Sequence, residues 1–172
     1  MPLLSEDKII DGCLKADRAA QKALYDLYKT KMYTLACRIT GNKDDAGDVL
    51  QEGFLEVFNN LTTFKRESLL GTWIHTIITR AALKKIRDRI IFEDLIDIPD
   101  NDEIDWGPDV DVNVLEMAIN ELPTGYRSIF TLFEIEGFKH VEIAQMMGIS
   151  VSTSKTQLHK AKRMLISKLK EK

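Results

Sequence analysis

The chain has 172 residues, 44% of them hydrophobic, and a formal net charge of −3. That content supports buried cores and argues against global disorder, and the length suits one domain or two small ones. No apolar run approaches the roughly 18–20 residues that span a bilayer, and the N-terminal MPLLSEDKIIDG is acidic where a signal peptide is positive and then apolar, so a cytoplasmic protein that is not itself a membrane protein is expected.

The elements read as helices from the start. Ile9, Ile10, Cys13 and Leu14 form a short amphipathic piece. Ala20, Leu24, Leu27, Tyr28, Lys31 and Leu35 follow i, i+3, i+4 spacing, with Lys31 the polar exception. Gly41 and Asn42 end that helix as a C-cap pair. Asp44 or Asp45 caps the next helix, which runs to about residue 59. Cys13 and Cys37 are too few for a disulfide framework and lack metal-ligand spacing, so they read as packing thiols, and no metal or cofactor is expected.

In the stretch DDAGDVLQEGFLEVF, Asp45, Asp48, Glu52 and Glu56 fall on one side of the helix, and Ala46, Val49, Leu50, Leu55 and Phe58 supply apolar faces. In a protein that binds DNA, such an acidic side cannot face phosphate and suits a basic protein partner. Plain solvation is the alternative.

A loop over 62–71 leads to a helix over about 72–89. Arg80, Lys84 and Arg87 recur at i, i+4, i+7 and share a face. Trp73 and His75 stand near its start, after Phe64, Lys65 and Arg66. Cations interleaved with aromatics suit single-stranded or unpaired bases, where rings stack and charges follow phosphates. A solvated basic face with Trp73 in the core fits the same pattern.

Residues 93–111 hold nine acids and no Lys or Arg. Set against 24 Lys and Arg, the other 18 acids leave the rest of the chain at net +6, which removes the conflict between overall acidity and nucleic-acid binding. Pro99, Asn101, Gly107 and Pro108 add turn formers. The stretch reads as a linker between two helical domains, 1–92 and 112–172.

After the linker, a helix over 112–122 stops at Pro123, and another over 126–136 ends at Gly137. An apolar helix over 141–147 then stops at Gly148, a turn Gly148-Ile149-Ser150 follows, and a second, basic helix begins. That is the layout of a helix-turn-helix, whose second helix enters the major groove. Ser150 occupies the N-cap position. Ser152, Thr153, Lys155, Thr156 and His159 lie in the first turns, where small hydroxyls and a lysine can reach base edges or phosphates. Lys160, Lys162, Arg163 and Lys168 supply backbone charge, while Ile149, Val151, Leu158, Ala161 and Leu165 face the core. His75, His140 and His159 are scattered, and there is no Gly-rich phosphate loop, so no catalytic constellation emerges and an enzyme is not expected.

Taken together, these blocks resemble an RNA polymerase sigma factor of the extracytoplasmic-function (ECF) group, over nearly the whole length. ALYDLYKTKMYTLACRITGNKDDAGDVLQEGFLEVF resembles the start of the sigma-two domain with its polymerase-binding helix. FKRESLLGTWIHTIITRAALKKIRDR resembles the segment that melts and reads the −10 element, and LPTGYRSIFTLFEIEGFKHVEIAQMMGISVSTSKTQLHKAKRML the sigma-four domain that reads the −35 element.

The resemblance implies an all-α, two-domain initiation factor whose partners are core RNA polymerase, promoter DNA and an anti-sigma factor, often membrane-linked in this family. Asp45, Asp48, Gln51 and Glu52 would dock on the clamp coiled coil of the polymerase. Lys65, Arg66, Trp73, Thr76, Arg80, Lys84 and Arg87 would take the −10 strand, with a flipped base in the loop over 64–71. The linker would thread toward the polymerase cleft. Arg127 and Lys139 would touch −35 phosphates, and Ser152, Thr153, Lys155, Thr156, His159, Lys160 and Arg163 would serve −35 reading. The chain departs from the family pattern at Arg80, where Asn is frequent, and at Arg66 and Leu69, where Gly and Ser are. It departs again at Ser154 and Gln157, where Val and Arg are frequent; these two either alter −35 preference or repack the helix. Two other readings compete: a helix-turn-helix regulator binding duplex DNA alone, and an antagonist that mimics sigma domains.

Overall fold

The computed structural model describes residues 5–92 and 110–171, so most of the acidic stretch expected as a linker lies outside the described residues. The described residues contain helices and no strand. They belong to two compact units, Met1–Lys85 and Ile86–Lys172.

The first unit holds α1 (Glu6–Leu14), α2 (Arg18–Thr40), α3 (Lys43–Asn60) and α4, whose span is Leu70–Ile86. The turn between α1 and α2 places Ala16 at φ 57, and the Asp17 carboxylate caps α2 by accepting the Ala19 N–H at 2.8 Å. Gly12 lets the two helices meet: a Cβ there would stand 2.5 Å from the Ala20 Cβ. Gly41 ends α2 in the left-handed conformation at φ 67, as its sequence suggests. Asn42 is not part of that C-cap. Its extended backbone turns the Oδ1 onto the N–H groups of Asp44 and Asp45, at 2.8 and 3.0 Å, and caps α3. Asp44 and Asp45 therefore sit inside the first turn, where their charge suits the helix dipole.

The core of this unit is Leu24, Met32, Leu35, Ala36 and Ile39 of α2, Ala46, Val49, Phe54 and Val57 of α3, and Leu70, Ile74 and Ile78 of α4. Each large side chain buried this way contributes about 1.5–3 kcal/mol. Gly53 gives α4 close access to α3, since a Cβ there would meet the Ile78 Cδ1 at 2.3 Å. Two residues expected on apolar faces point outward instead: Leu27 is 54% exposed and Leu55 is 63% exposed. On α2 the packed positions continue from Leu24 to Met32, which steps past Leu27.

The second unit contains α5 (Val112–Asn120), α6 (Thr124–Phe130), α7 (His140–Met147) and α8 (Val151–Lys170). The helix expected over 126–136 is not uniform. After Phe130 it widens into a π-helical turn, Thr131–Ile135, closed by the Glu136 N–H on the Thr131 carbonyl at 2.9 Å. Ile129, Leu132, Ile143, Leu158, Ala161 and Leu165 form the core. Val151, expected in that core, is exposed. Phe92 meets the Tyr126 ring edge-on at 6.0 Å within this same unit.

Candidate functional site

Three surfaces carry the residues that the sequence singles out. On α3, Asp48, Gln51 and Glu52 are exposed and Asp45 is half-buried. Leu55 adds an exposed apolar group three residues after Glu52, so this face mixes charge with a hydrophobe as interaction surfaces do. Asp48 is not purely outward-looking. Its Oδ2 accepts from Lys85 Nζ of α4 at 3.1 Å. That hydrogen bond, with the fields of Asp48, Asp45 and Glu52, raises the lysine's pKa above its ordinary value.

The second surface runs along α4. Trp73, Thr76, Arg80 and Lys84 recur every three or four residues and share one stripe. Arg80 and Lys84 are exposed, while Arg87 belongs to a short 3₁₀ turn, Arg87–Arg89, beyond the helix. Thr76 donates its hydroxyl to the Thr72 carbonyl at 3.1 Å. Trp73 is half-buried, packed at 5.3 Å against Phe64 of the preceding loop, so one ring face serves as the loop's wall. Lys65 is exposed.

Arg66 adopts φ 59, unusual for a residue with a side chain, and its guanidinium reaches Asp7 at 2.6 Å and Asp11 at 3.0 Å on α1. Asp7 and Asp11 carried no signal in the sequence beyond their i, i+4 spacing, because their partner is more than fifty residues away. Tyr28 was likewise missed as a site residue. Its hydroxyl donates to Glu6 at 3.1 Å, and burial first, then the Glu6 charge, push its pKa up to about 12.

The third surface is the α7–turn–α8 unit. The Glu142 carboxylate accepts the Lys139 N–H at 2.7 Å at the start of α7. Gly148 closes α7 at φ 67. The Ser150 Oγ accepts the Thr153 N–H at 2.9 Å and so caps α8 as its position suggests. Ser152, Lys155 and Arg163 are exposed, Thr153, Thr156 and Lys160 are half-buried, and Lys139 is exposed on α7's N-cap. The Thr153 hydroxyl contacts Ser150 Oγ at 2.8 Å and the Thr156 hydroxyl donates to the Ser152 carbonyl at 3.0 Å, so both are anchored to the helix itself. His159 is half-buried, and its Nε2 is turned away from solvent.

Arg127 is a correction to the expected phosphate contacts. It is only 6% exposed, and its guanidinium donates to the carbonyls of Leu122 at 3.1 Å and Asn120 at 3.4 Å. It closes the C-terminal end of α5 from inside the unit, and burial lowers its pKa. Ser154 and Gln157, the two departures on α8, both have buried side chains. The Ser154 Oγ lies 2.8 Å from His140 Nδ1, and the His140 ring stacks on Phe133 at 4.3 Å. Burial, then Lys155 and Lys162, hold the imidazole pKa below its ordinary value against the opposing pull of Glu134. Lys162 is itself ion-paired with Glu134.

Among the described residues no cluster could hold a metal ion, and no helix is long and apolar enough to cross a membrane. The arrangement is chemically one of recognition: an acidic face, a basic face beside an aromatic-walled loop, and a capped helix in a helix-turn-helix.

Comparison with known proteins agrees with that geometry. Residues 24–90 match Sigma-70 region 2 and residues 113–165 match Sigma-70, region 4. The chain is 25% identical to the ECF RNA polymerase sigma factor SigW of Bacillus subtilis, over 95% of this chain and 96% of the relative. It is 24% identical to the ECF RNA polymerase sigma-E factor of Haemophilus influenzae, over 96% of each chain. Among solved structures, the sigma factor RpoE bound to the anti-sigma factor NepR from Bartonella quintana has a TM-score of 0.57 at 21% identity, covering 87% of this chain and 96% of that one. CnrH in complex with the cytosolic domain of CnrY has a TM-score of 0.55 at 20% identity, covering 95% and 96%. These two likenesses speak for the fold. An all-α chain with region 2 followed by region 4 is a transcription initiation factor, of a class that is not catalytic in itself. The chain belongs to the RNA polymerase sigma factors of the ECF group.

Proposed function

We propose that α3 docks this protein on core RNA polymerase through Asp45, Asp48, Gln51 and Glu52, that α4 and the loop over 64–71 hold the −10 element as a single strand, and that α8 reads the −35 element as duplex. The domains that do this are 1–92 and 112–172, with 93–111 between them. Lys65, Trp73, Thr76, Arg80, Lys84 and Arg87 serve the −10 strand. Ser152, Thr153, Lys155, Thr156, His159, Lys160, Arg163 and Lys139 serve the −35 duplex, without Arg127. The observation that carries this reading is the separation of charge. The exposed acids of α3 cannot lie on DNA, and the exposed cations of α4 and α8 can.

The protein acts in the cytoplasm, with no catalysis or cofactor of its own. An anti-sigma factor is its regulatory partner, as the RpoE–NepR likeness suggests. In vitro transcription with core polymerase and a randomised promoter library tests the reading. Selected promoters should share two elements at −35 and −10. Tight binding of the free chain, as a dimer, to a palindromic duplex, with no core-dependent transcripts, would establish the regulator reading in its place.

A further inference from the structure

The loop between α3 and α4 is held at two points, directly by α1 and through Tyr28 of α2. Arg66, in the left-handed backbone region at φ 59, makes ion pairs with Asp7 and Asp11, which lie one turn apart on the same face of α1. A side chain at positive φ persists where its surroundings over-determine it, and two charge-assisted bonds to neighbouring carboxylates do that here. The second grip is Tyr28. Its hydroxyl is held by Glu6 of α1, and its ring lies against Gly71 in the first turn of α4, where a Cβ would stand 3.0 Å from the Tyr28 Cε1. The close approach of Gly12 to Ala20 seats α1 itself on α2. Between these grips the loop leaves Lys65, Glu67 and Ser68 exposed and Leu69 77% exposed, with Phe64 against Trp73 behind them.

We propose that Asp7 and Asp11 are positioning residues for −10 recognition: by holding Arg66 they keep the loop over 64–71 shaped to receive an unpaired base, and Arg66 is a strut, not a phosphate ligand. The inference rests on the reading that this loop takes the −10 strand. Nη1 and Nη2 of Arg66 already face carboxylates, and Asp7 and Asp11 would repel a phosphate brought to the same place. Without the pair, the left-handed backbone at residue 66 loses what restrains it, and the tip carrying Leu69 loses its orientation.

The test uses the full chain bound to core polymerase and a forked DNA with a duplex −35 element and a single-stranded −10 strand. The quantity read is discrimination, the ratio of Kd values for a −10 strand with one base substituted and for the preferred one. Asp7→Asn with Asp11→Asn should lower that ratio roughly tenfold, within what two exposed ion pairs supply together. Core binding, −35 duplex affinity and the unfolding midpoint should stay near those of the parent chain. Arg66→Glu should give the same loss, and combining it with Asp7→Lys and Asp11→Lys should restore discrimination. Unchanged discrimination in the Asn variant overturns the proposal. So does an Arg66→Glu loss that the charge swap fails to rescue while the salt slope of strand binding drops by about 0.7, the signature of one lost phosphate contact on a single strand. A parent chain with no preference for any −10 strand would instead refute the underlying reading of the loop.

Discussion

The surface proposed for the −10 strand and the surface proposed for the −35 duplex are both basic and both helical, yet they are held in shape by different contacts. The start of α8 is set by contacts between uncharged groups: the exposed Ser150 cap, the part-buried Ser154–His140 bond and the stack of His140 on Phe133. The −10 loop is set by exposed ion pairs reaching across more than fifty residues of chain. Reading a duplex requires a helix presented as a rigid body, and its supports are hydrogen bonds and ring stacking, which salt screens little. Receiving a single strand requires an open loop, so its supports lie at the surface, where salt screens them.

The largest expected effects remove one surface while sparing the other. Asp48→Lys with Glu52→Lys should weaken core polymerase binding by about 3–5 kcal/mol with −35 duplex binding retained, as titration calorimetry and a duplex shift assay would show. Unaltered core affinity would remove α3 from the docking role. Arg127→Ala should destabilise the second unit by about 2–4 kcal/mol by opening the end of α5 and leaving buried carbonyls unmet. Hydrogen exchange should show α5 and α6 opening while α2 and α3 stay protected. Lost −35 affinity with unchanged protection would restore Arg127 as a phosphate contact.

Smaller effects sharpen the contrast. Lys155→Ala should weaken −35-dependent transcription by about 1–3 kcal/mol if it meets a base; equal activity on promoters scrambled at −35 would remove that role. Arg80→Ala should reduce permanganate reactivity at −10 more than duplex binding. The smallest effect comes from His140. Its folded pKa lies below the ordinary 6.5, so the unfolded chain binds that proton first. The second unit should therefore keep full stability above about pH 6.5 and lose some as the pH falls from there toward the folded pKa. His140→Asn should flatten that decline in pH-dependent melts; an identical slope in both chains would assign it elsewhere.

Much of this was legible before any coordinates. Gly148 and Ser150 mark the helix-turn-helix because a left-handed stop and an N-cap are local backbone requirements, met within three or four residues. The acidic side of α3 was legible from periodicity alone. Leu27, Leu55 and Val151 were misplaced because apolar spacing shows that a face exists and not where its edge falls. Arg127 was misread because an arginine near a DNA-reading helix looks like a phosphate contact until its burial is seen.

Helix content, the order of the blocks, the sign of charge on each and the caps at Gly41 and Gly148 follow from the sequence by itself, because they depend on neighbours a turn or two away. The tertiary structure alone decided which charges are already engaged. It turned Arg127 inward onto α5, placed Ser154 and Gln157 in the core, paired Lys85 with Asp48, and joined Arg66 to Asp7 and Asp11. Such pairings depend on which helices pack side by side, and the spacing of residues along the chain carries no direct record of that.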